Sequence, residues 1–567
     1  DAGRMISRKF ARRANFLFFL CLFFFGVITT HLFFLQVVKG KFYREEALSR
    51  LVLEEILPPR GSILDRNGKT LAEDVRVLSI SAYSPQIDDP EKVAQELSQL
   101  LSLPPVELQQ KFQSGRSWIE ITDNAPLYLK ETLEEKKLKG IDWREKSTRF
   151  YPQAPLFSNL LGFVGKDGRG LEGLEFAFDS YLTGKVGYSF YEKDALGKGI
   201  PLTTKYLEAQ PGNNLHLTVD STIQFFAEEA LDRAMEKTKA LRGVVIVNNP
   251  QNGDILALAS RPSFDNRTFQ AFPPESWKNL ATGMVFEPGS TVKPLVMAAV
   301  LEEKKASLSE QFYCPGYIMV YNHRVRDIKA HGEEKLEDLL INSCNVGIIT
   351  LAERLGKDKL FYYLKNFGLG EKCDIGLPGE EQGLLRPPRD WSLLSMGAIP
   401  IGQEMMVTPL QLLRALSALA NKGVMMQPRL VKEITSPKGE VIESFSPTPS
   451  KEVVSEKTAS VVLEMMEKTV AKGTGKKAYL EGYHIAGKTG TGQKVGPDGR
   501  YDPHKFYSSF VGFLPLPEPR FGIIVFLDEP QGEYYGGDIA APVFKEIAQN
   551  IINYAGIMSD KAEVGLF

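Results

Sequence analysis

One uninterrupted apolar run near the start constrains this chain more than any other feature. Phe16 to Leu35 is 20 residues long, and Thr29, Thr30 and His31 are its polar interruptions. At 1.5 Å per helical residue, about 20 residues cross a bilayer core of roughly 30 Å. Arg4, Arg8, Lys9, Arg12 and Arg13 precede the run against the single acid Asp1, whereas Lys39, Lys41 and Arg44 after it are diluted by Glu45 and Glu46. The positive-inside bias puts the N-terminus in the cytoplasm and everything after Lys39 outside. A cleaved signal peptide would have a core of about 7–15 residues followed by a small-residue site. The stretch from His31 to Val38 offers no such site. The expectation is an uncleaved single-pass anchor over 16–38 behind a cytoplasmic tail, 1–15, in which Asp1–Arg4 ahead of Met5 reads as a cloning remnant.

The rest must fold outside the membrane, and composition narrows how. At about 150 residues per unit, 567 residues allow three or four folding units. Apolar residues at 43% and charged residues at 24% describe an ordered globular chain. A net charge of −2 leaves no electrostatic footprint for nucleic acid. Neither a P-loop nor a dinucleotide-binding glycine motif occurs in a strand–helix setting, so nucleotide chemistry is a poor fit. The four cysteines, Cys21, Cys314, Cys344 and Cys373, form no CxxC, and the six histidines form no HExxH. Spacing therefore shows no metal site, and Cys314, Cys344 and Cys373 read as reduced.

Phe42 to Ile56 reads as a helical continuation of the anchor that Pro58-Pro59 ends. Arg60-Gly-Ser-Ile-Leu-Asp-Arg-Asn-Gly-Lys-Thr-Leu-Ala72 carries the hairpin dipeptide Asn67-Gly68, and the turn alone predicts an ordinary surface hairpin. Ser79 to Asp220 mixes short strands, polar helices and Gly-rich turns without a catalytic cluster, the pattern of a pedestal. Beyond Gly212 the pattern is α/β. Val244–Asn248 and Ile255–Ala259 read as strands paired about Asn252-Gly253, followed by helices at Val292–Leu301 and Leu410–Leu419. Ser436–Lys457 is a polar excursion, and Phe506–Phe513 and Phe521–Leu527 are late strands. The expected division is a pedestal at 39–212, a catalytic domain at 213–556 and a tail at 557–567.

Three signals in this second domain carry chemistry. In Glu287-Pro-Gly-Ser-Thr-Val-Lys-Pro-Leu, Ser290 precedes Lys293 by three positions at the start of an apolar helix. Residues i and i+3 share a helical face, so the amine can reach the hydroxyl. Pro294 falls in the first turn, where a missing N–H costs little. A serine hydroxyl needs a base, and lysine is one only when burial or positive potential keeps it neutral. Taken by itself, the pair reads as a capping serine and a solvated lysine rather than as a nucleophile and its base. The second signal is Ser343-Cys-Asn345, and the third is Lys488-Thr489-Gly490-Thr491. Together and in this order they form the S-x-x-K, S-x-N, K-T-G set of penicillin-reactive serine acyl-transferases.

On these motifs the chain resembles the class B penicillin-binding proteins, the membrane-anchored bacterial peptidoglycan D,D-transpeptidases, over nearly its whole length. The Arg60–Ala72 segment, Arg149-Phe-Tyr-Pro, Gly170-Leu-Glu-Gly-Leu-Glu, Leu217-Thr-Val-Asp-Ser-Thr-Ile-Gln, His331-Gly332, Ile401-Gly-Gln403, Thr408-Pro-Leu-Gln411 and Ala541-Pro-Val-Phe544 all resemble family signatures. Two positions depart. Ser158-Asn159 stands where relatives often show a histidine, and Cys314 has no second cysteine before His331.

The resemblance implies a transpeptidase fold, α/β (α+β), with a mixed antiparallel sheet flanked by helices, preceded by an elongated α+β pedestal and one transmembrane helix. It implies that Ser290 attacks the penultimate D-Ala carbonyl of a stem peptide and that Lys293 takes the hydroxyl proton. Ser343 would relay a proton to the leaving amine, and Asn345 would orient Lys293 and the substrate amide. Lys488 and Thr489 would hold the terminal carboxylate, and Gly490 would leave room for substrate backbone. The N–H groups of Ser290 and Thr491 would hold the oxyanion. The resemblance implies no metal or organic cofactor. It further implies β-lactam inhibition, residence in the bacterial cytoplasmic membrane, and a SEDS-class lipid II polymerase among divisome or elongasome partners. Tyr534-Tyr-Gly-Gly-Asp-Ile-Ala-Ala-Pro-Val-Phe resembles the division and sporulation type more than the elongation type. A β-lactam sensor or β-lactamase, which shares the motifs, and a non-catalytic divisome scaffold stay open at this point.

Overall fold

The computed structural model describes residues 2–49, 51–192, 205–496 and 499–559. The tail expected at 557–567 lies outside the described residues from 560 onward. Two compact units emerge, one made of Asp1–Pro58 with Gly184–Pro211 and the other of Pro59–Thr183 with Gly212–Phe567.

In the first unit a helix spans Ala2–Phe33, widens into a π-type turn at Phe34–Val38 and resumes at Gly40–Ser49. Its stretch Phe10–Val38 is, among the described residues, the one helix long and apolar enough to cross a membrane. Its threonines are satisfied internally: Thr29 Oγ1 donates to Phe25 O at 2.6 Å and Thr30 Oγ1 to Gly26 O at 2.7 Å. That is what a hydrocarbon surrounding demands. The helix expected to continue to Ile56 stops earlier. Leu51–Ile56 is a strand paired antiparallel with Gly187–Glu192, which in turn pairs with Lys205–Leu207. A partner some 130 residues downstream in sequence overrides local helix preference, as tertiary pairing routinely does.

Near the start of the second unit lies the Asn67-Gly68 turn. Gly68 takes φ +81° and its N–H donates to Asp65 O, closing Ile63–Leu64 onto the 14-residue strand Thr70–Tyr83. This is more than a surface hairpin. Asp65 is buried and accepts from both the hydroxyl (2.7 Å) and the N–H (3.1 Å) of Ser221, while the Asn67 amide donates to Asp220 at 3.0 Å. The long strand pairs with Trp118–Pro126 and Ile141–Phe150. Leu78, Ile80 and Ala82 pack with Leu97, Leu108 and Leu133 from the helices that cover them.

Three of the resemblance segments meet in one buried ionic cluster. Glu175 accepts from Arg60 Nε at 2.6 Å and Arg149 Nε at 2.7 Å. Arg60 also donates to Asp179 (2.6 Å), Thr183 (2.8 Å) and the Glu175 carbonyl (2.6 Å), and Arg149 to Asp74 (3.2 Å). The departing pair is equally tied down: Ser158 Oγ donates to Pro155 O at 2.6 Å, and the Asn159 amide to Ser276 O at 2.7 Å.

A five-stranded sheet carries the rest. Its strands are β1 (Arg242–Asn248), β2 (Ile255–Arg261), β3 (Ala486–Val495), β4 (Tyr501–Leu514) and β5 (Phe521–Asp528), in the spatial order β2-β1-β5-β4-β3 and antiparallel throughout. The hairpin at Asn252-Gly253 falls where its dipeptide predicts. Side chains alternate between two cores, the period-2 signature of a sheet buried on both faces. Val245, Val247, Ile523 and Val525 face helices α1 (Ser221–Thr238) and α6 (Gly536–Ala555). Val244, Ile246, Ile524 and Phe526 face α2 (Lys293–Glu302), α4 (Pro409–Ala420) and α5 (Glu456–Lys472). A sixth helix, α3 (Asn345–Leu355), packs into the same second core. The polar excursion at 436–457 is exposed but not structureless. Val441–Ser444 adds an edge strand to the seven-stranded sheet that also holds Asn214–Leu217, and Pro449–Glu452 pairs with Val424–Met426.

Removing one partner of a buried ion cluster strands the others, at a cost of about 3–5 kcal/mol. Glu175→Ala removes the carboxylate that Arg60 and Arg149 share and leaves each with one remaining partner, Asp179 and Asp74, so its thermal unfolding midpoint should fall by several degrees. An unchanged midpoint would show that the cluster does not stabilise the fold.

Candidate active site

The site is built from glycines before any functional group appears. Gly289 and Gly402 both take positive φ, +56° and +82°. The Gly289 N–H donates to Gly402 O at 3.0 Å, and a Cβ on Gly402 would lie 2.1 Å from Gly289 O. Only residues without side chains allow backbones to interlock this closely. The interlock holds the turn Gly289–Val292, on which Ser290 sits half-buried.

The turn runs into α2, whose residues Leu295 to Val300 are wholly buried. A helix apolar on all sides sits in a core, and this one draws Lys293 in with it, to 0% exposure. Its amine donates to Ser343 O (2.6 Å), Asn345 Oδ1 (2.6 Å) and Ser343 Oγ (3.3 Å). The sequence placed this amine at the Ser290 hydroxyl, one helical turn back; in the structure its hydrogen bonds go to the S-x-N motif. Burial lowers the Lys293 pKa to about 8, while Asp327, Cys344 and Glu334 pull the other way.

Each acceptor is held from behind. Ser343 takes φ +58°, a left-handed conformation that costs a non-glycine residue on the order of 1 kcal/mol. Its carbonyl and hydroxyl are both directed to Lys293, and the hydroxyl also accepts from Lys488 at 2.9 Å. Asn345 opens α3. Its N–H donates to Asp327 Oδ2 at 2.7 Å and its amide nitrogen to Arg326 O at 2.9 Å, which leaves the amide oxygen for Lys293. Asp327 also accepts the Val346 N–H at 3.3 Å, a carboxylate on a helix N-terminus where the dipole favours it.

Lys488, Thr489, Gly490 and Thr491 lie on β3, the outer strand of the five. Such an edge is a template for another extended segment. Lys488 is also fully buried, and burial together with the neighbouring charge of Lys293 pushes its pKa well down. Thr489 Oγ1 donates to Thr474 Oγ1 at 3.1 Å. Gly490 has a packing reason as well: a Cβ there would lie 2.4 Å from Ser509 Oγ and 2.7 Å from Thr291 Cγ2. Thr491 Oγ1 accepts the Gly536 N–H at 3.0 Å, and a Cβ on Gly289 would lie 2.9 Å from Thr491 O. The strand thus runs against the serine turn. All eight residues singled out in the sequence converge here. Asp327, Arg326 and Thr474 support them and were not singled out, since loop residues at unrelated spacings carry no local signal; Gly402, inside the Ile401-Gly-Gln403 signature, supports them too.

This is the constellation of a serine acyl-transferase, with a reachable hydroxyl, a buried amine, a second buried amine and an open strand edge. Residues 243–549 match the penicillin-binding protein transpeptidase domain family and residues 55–217 the penicillin-binding protein dimerisation domain family. The chain is 36% identical over 553 residues to stage V sporulation protein D of Bacillus subtilis, covering 95% of this chain and 85% of that protein. It is 31% identical to the peptidoglycan D,D-transpeptidase FtsI of Escherichia coli, covering 100% of this chain and 95% of the relative. Among solved structures, penicillin-binding protein 3 of Mycobacterium tuberculosis in complex with aztreonam superimposes with a TM-score of 0.71 at 27% identity, covering 89% of this chain and 98% of that one. The chain belongs to the class B penicillin-binding proteins, in which a dimerisation domain precedes a transpeptidase domain.

The amine of Lys293 should titrate near pH 8, against about 10.4 for a free lysine. Its neutral fraction then falls about tenfold for each pH unit below that value. NMR of lysine-labelled protein across pH 6–11 reads it directly, and titration at the free-lysine value would show that the amine is solvated.

Proposed function

We propose that this protein cross-links peptidoglycan as a D,D-transpeptidase through an acyl-enzyme on Ser290. The observation that carries the reading is Lys293, an amine fully buried, depressed towards neutrality and one helical turn from a half-buried serine. In the reaction, Ser290 Oγ attacks the penultimate D-Ala carbonyl of a stem peptide as its proton passes to Lys293. The N–H groups of Ser290 and Thr491 bind the oxyanion, a contribution of about 3 kcal/mol per donor. Terminal D-Ala leaves as the amine, protonated through Ser343, whose hydroxyl already bridges the two lysines. Both lone pairs of that hydroxyl are engaged by N–H donors, so its own proton is free to be donated. Asn345 orients Lys293 and the substrate amide. A substrate carboxylate arriving at Lys488 and Thr489 restores the charged form that burial disfavours in the free enzyme. The amine of a second stem peptide then takes the acyl group and frees Ser290. A β-lactam acylates the same oxygen and stays.

We assign 39–212 to a pedestal and 213–556 to the transpeptidase domain, with the family matches as support. The basic residues ahead of the apolar helix support a cytoplasmic N-terminus and an extracytoplasmic site, on a single-pass anchor in the bacterial cytoplasmic membrane. The relatives and the Tyr534–Phe544 segment support a division or sporulation role, with a SEDS-class lipid II polymerase as the membrane partner.

Ser290→Ala should abolish covalent labelling by fluorescent penicillin while leaving the unfolding midpoint unchanged. Labelling at another serine would sink the assignment, and rapid release of hydrolysed penicillin by the unsubstituted protein would make it a β-lactamase. Lys293→Ala should slow acylation by about 10²–10⁴-fold.

Removing residues up to Lys39 should leave penicillin acylation within about twofold but weaken cross-linking of freshly polymerised lipid II, because the anchor confines enzyme and polymerase to one plane. Equal cross-linking by both forms at low concentration would remove the anchor's coupling role.

A further inference from the structure

Glu287 stands three positions before Ser290 and is buried, 7% exposed. Its Oε1 accepts two hydrogen bonds from segments far along the chain, the Glu404 N–H at 2.9 Å and the Tyr501 hydroxyl at 3.2 Å. Its Oε2 is buried without a hydrogen-bond partner. Burial raises the Glu287 pKa against the pull of both donors. A carboxyl group in such a place costs stability, so its bonds must do something that an apolar side chain could not.

The two donors belong to the two segments packed against the serine turn. Phe286 and Val407 exchange backbone hydrogen bonds of 3.0 and 2.9 Å, and the Gly289 N–H donates to Gly402 O, so 286–289 lies alongside 402–407. The Glu287 carboxyl group is the side-chain rung between those contacts. It holds the N–H of Glu404, whose left-handed backbone, φ +57°, costs a non-glycine residue on the order of 1 kcal/mol. The Glu404 carboxylate is engaged elsewhere, accepting from Ser395 Oγ at 2.6 Å and lying 3.5 Å from Arg386. Tyr501 opens β4 and pairs with Val495 at the outer end of the β3–β4 hairpin, past an irregularity in the ladder between Gln493 and Val495. Nearer the serine, a Cβ on Gly492 would lie 3.3 Å from Glu287 O. Glu287 thus meets the hairpin twice, through its carbonyl at β3 and its carboxyl group at β4.

We propose that Glu287 is a positioning residue for acylation, its Oε1 tying the serine turn, the loop Gly402–Glu404 and the β3–β4 hairpin together so that the Ser290 and Thr491 N–H groups keep the spacing an oxyanion needs. The role rests on the transpeptidase reading of the site. One of those N–H groups is on the turn and the other on the strand, so no local structure fixes the distance between them. Tyr501 supplies the tie on the hairpin side, where the ladder is irregular. The oxyanion exists only as the acyl bond forms, so slack between the two donors weakens the transition state and leaves the first, noncovalent complex intact. Glu287 and Tyr501 act through Ser290 and Thr491 and do not touch substrate.

The test uses the full-length protein in detergent and a fluorescent penicillin over a range of concentrations, which separates the Kd of the first complex from the rate of acylation. Tyr501→Phe, which removes one hydroxyl, should slow acylation about tenfold with Kd unchanged. Glu287→Ala should slow it about 10²-fold, and adding Tyr501→Phe to it should cost no more, because the two side chains act as one unit. Glu287→Gln keeps an oxygen for both donors and should recover most of the rate. A folding defect would lower the fraction labelled and not the rate of the remainder, and Tyr501→Phe keeps the test open if Glu287→Ala fails to fold. Hydrogen exchange without penicillin reads the tie directly: the Glu404 N–H should exchange faster in Glu287→Ala, and the backbone around Val495 faster in both single variants. An acylation rate within twofold in both, a weakened Kd with the rate unchanged, Glu287→Gln as slow as Glu287→Ala, or unaltered exchange would each overturn the proposal. Faster exchange in the variants of a protein that penicillin never acylates would keep the three-way tie and remove the transpeptidase reading.

Discussion

The catalytic half of this protein depends on keeping a lysine amine inside an apolar core. An ammonium group there forfeits its hydration, and the loss is tolerable only when strong acceptors surround it or when it sheds its proton. Lys293 does some of each. Its acceptors, Ser343 O, Ser343 Oγ and Asn345 Oδ1, come from a segment 50 residues downstream, and its pKa is lowered to about 8. Much of the surrounding architecture serves those acceptors. Ser343 bears a left-handed backbone, Asp327 ties the Asn345 N–H, and the Arg326 carbonyl fixes the Asn345 amide.

A second buried amine makes the arrangement sharper. Lys488 reaches the same Ser343 hydroxyl from β3, so one oxygen links a helix start and a strand edge. Two ammonium groups this close in a dry site repel, which lowers the affinity of each for its proton. The central sheet supplies the rigidity this needs. Strands β1 and β5 are buried on both faces, and α2 and α6 are fixed against opposite sides of them. Gly490 and Gly536 let β3, the serine turn and the start of α6 approach without side chains between them.

The pedestal segments solve a related problem by other means. Arg60, Arg149 and Glu175 come from three distant segments and are buried as one cluster with Asp74 and Asp179. Such a cluster stabilises little against an apolar alternative but punishes any rearrangement that separates its members. It fixes how three segments join, while the apolar residues around it supply most of the burial.

Periodic and local features were legible in the sequence. The apolar run, the two Asn-Gly turns, the paired strands at 244–248 and 255–259 and the helix after Ser290 each arise from interactions within a few residues, which pattern alone reveals. The eight motif residues stood out through short fixed spacings too, and the fold brings them together. The reading of Phe42–Ile56 as helix failed where a strand partner lay far along the chain, and the excursion at 436–457 hid two short strands for the same reason. Asp327, Arg326 and Thr474 left no local signature either. The sequence by itself determined an apolar span, a two-faced sheet and the three motifs of an acyl-transferase. Only the tertiary structure decided that the Lys293 amine answers to Ser343 and Asn345 and that Lys488 shares the Ser343 hydroxyl. Those contacts join residues tens to hundreds of positions apart, and no short-range pattern encodes a distance that only the packed core creates.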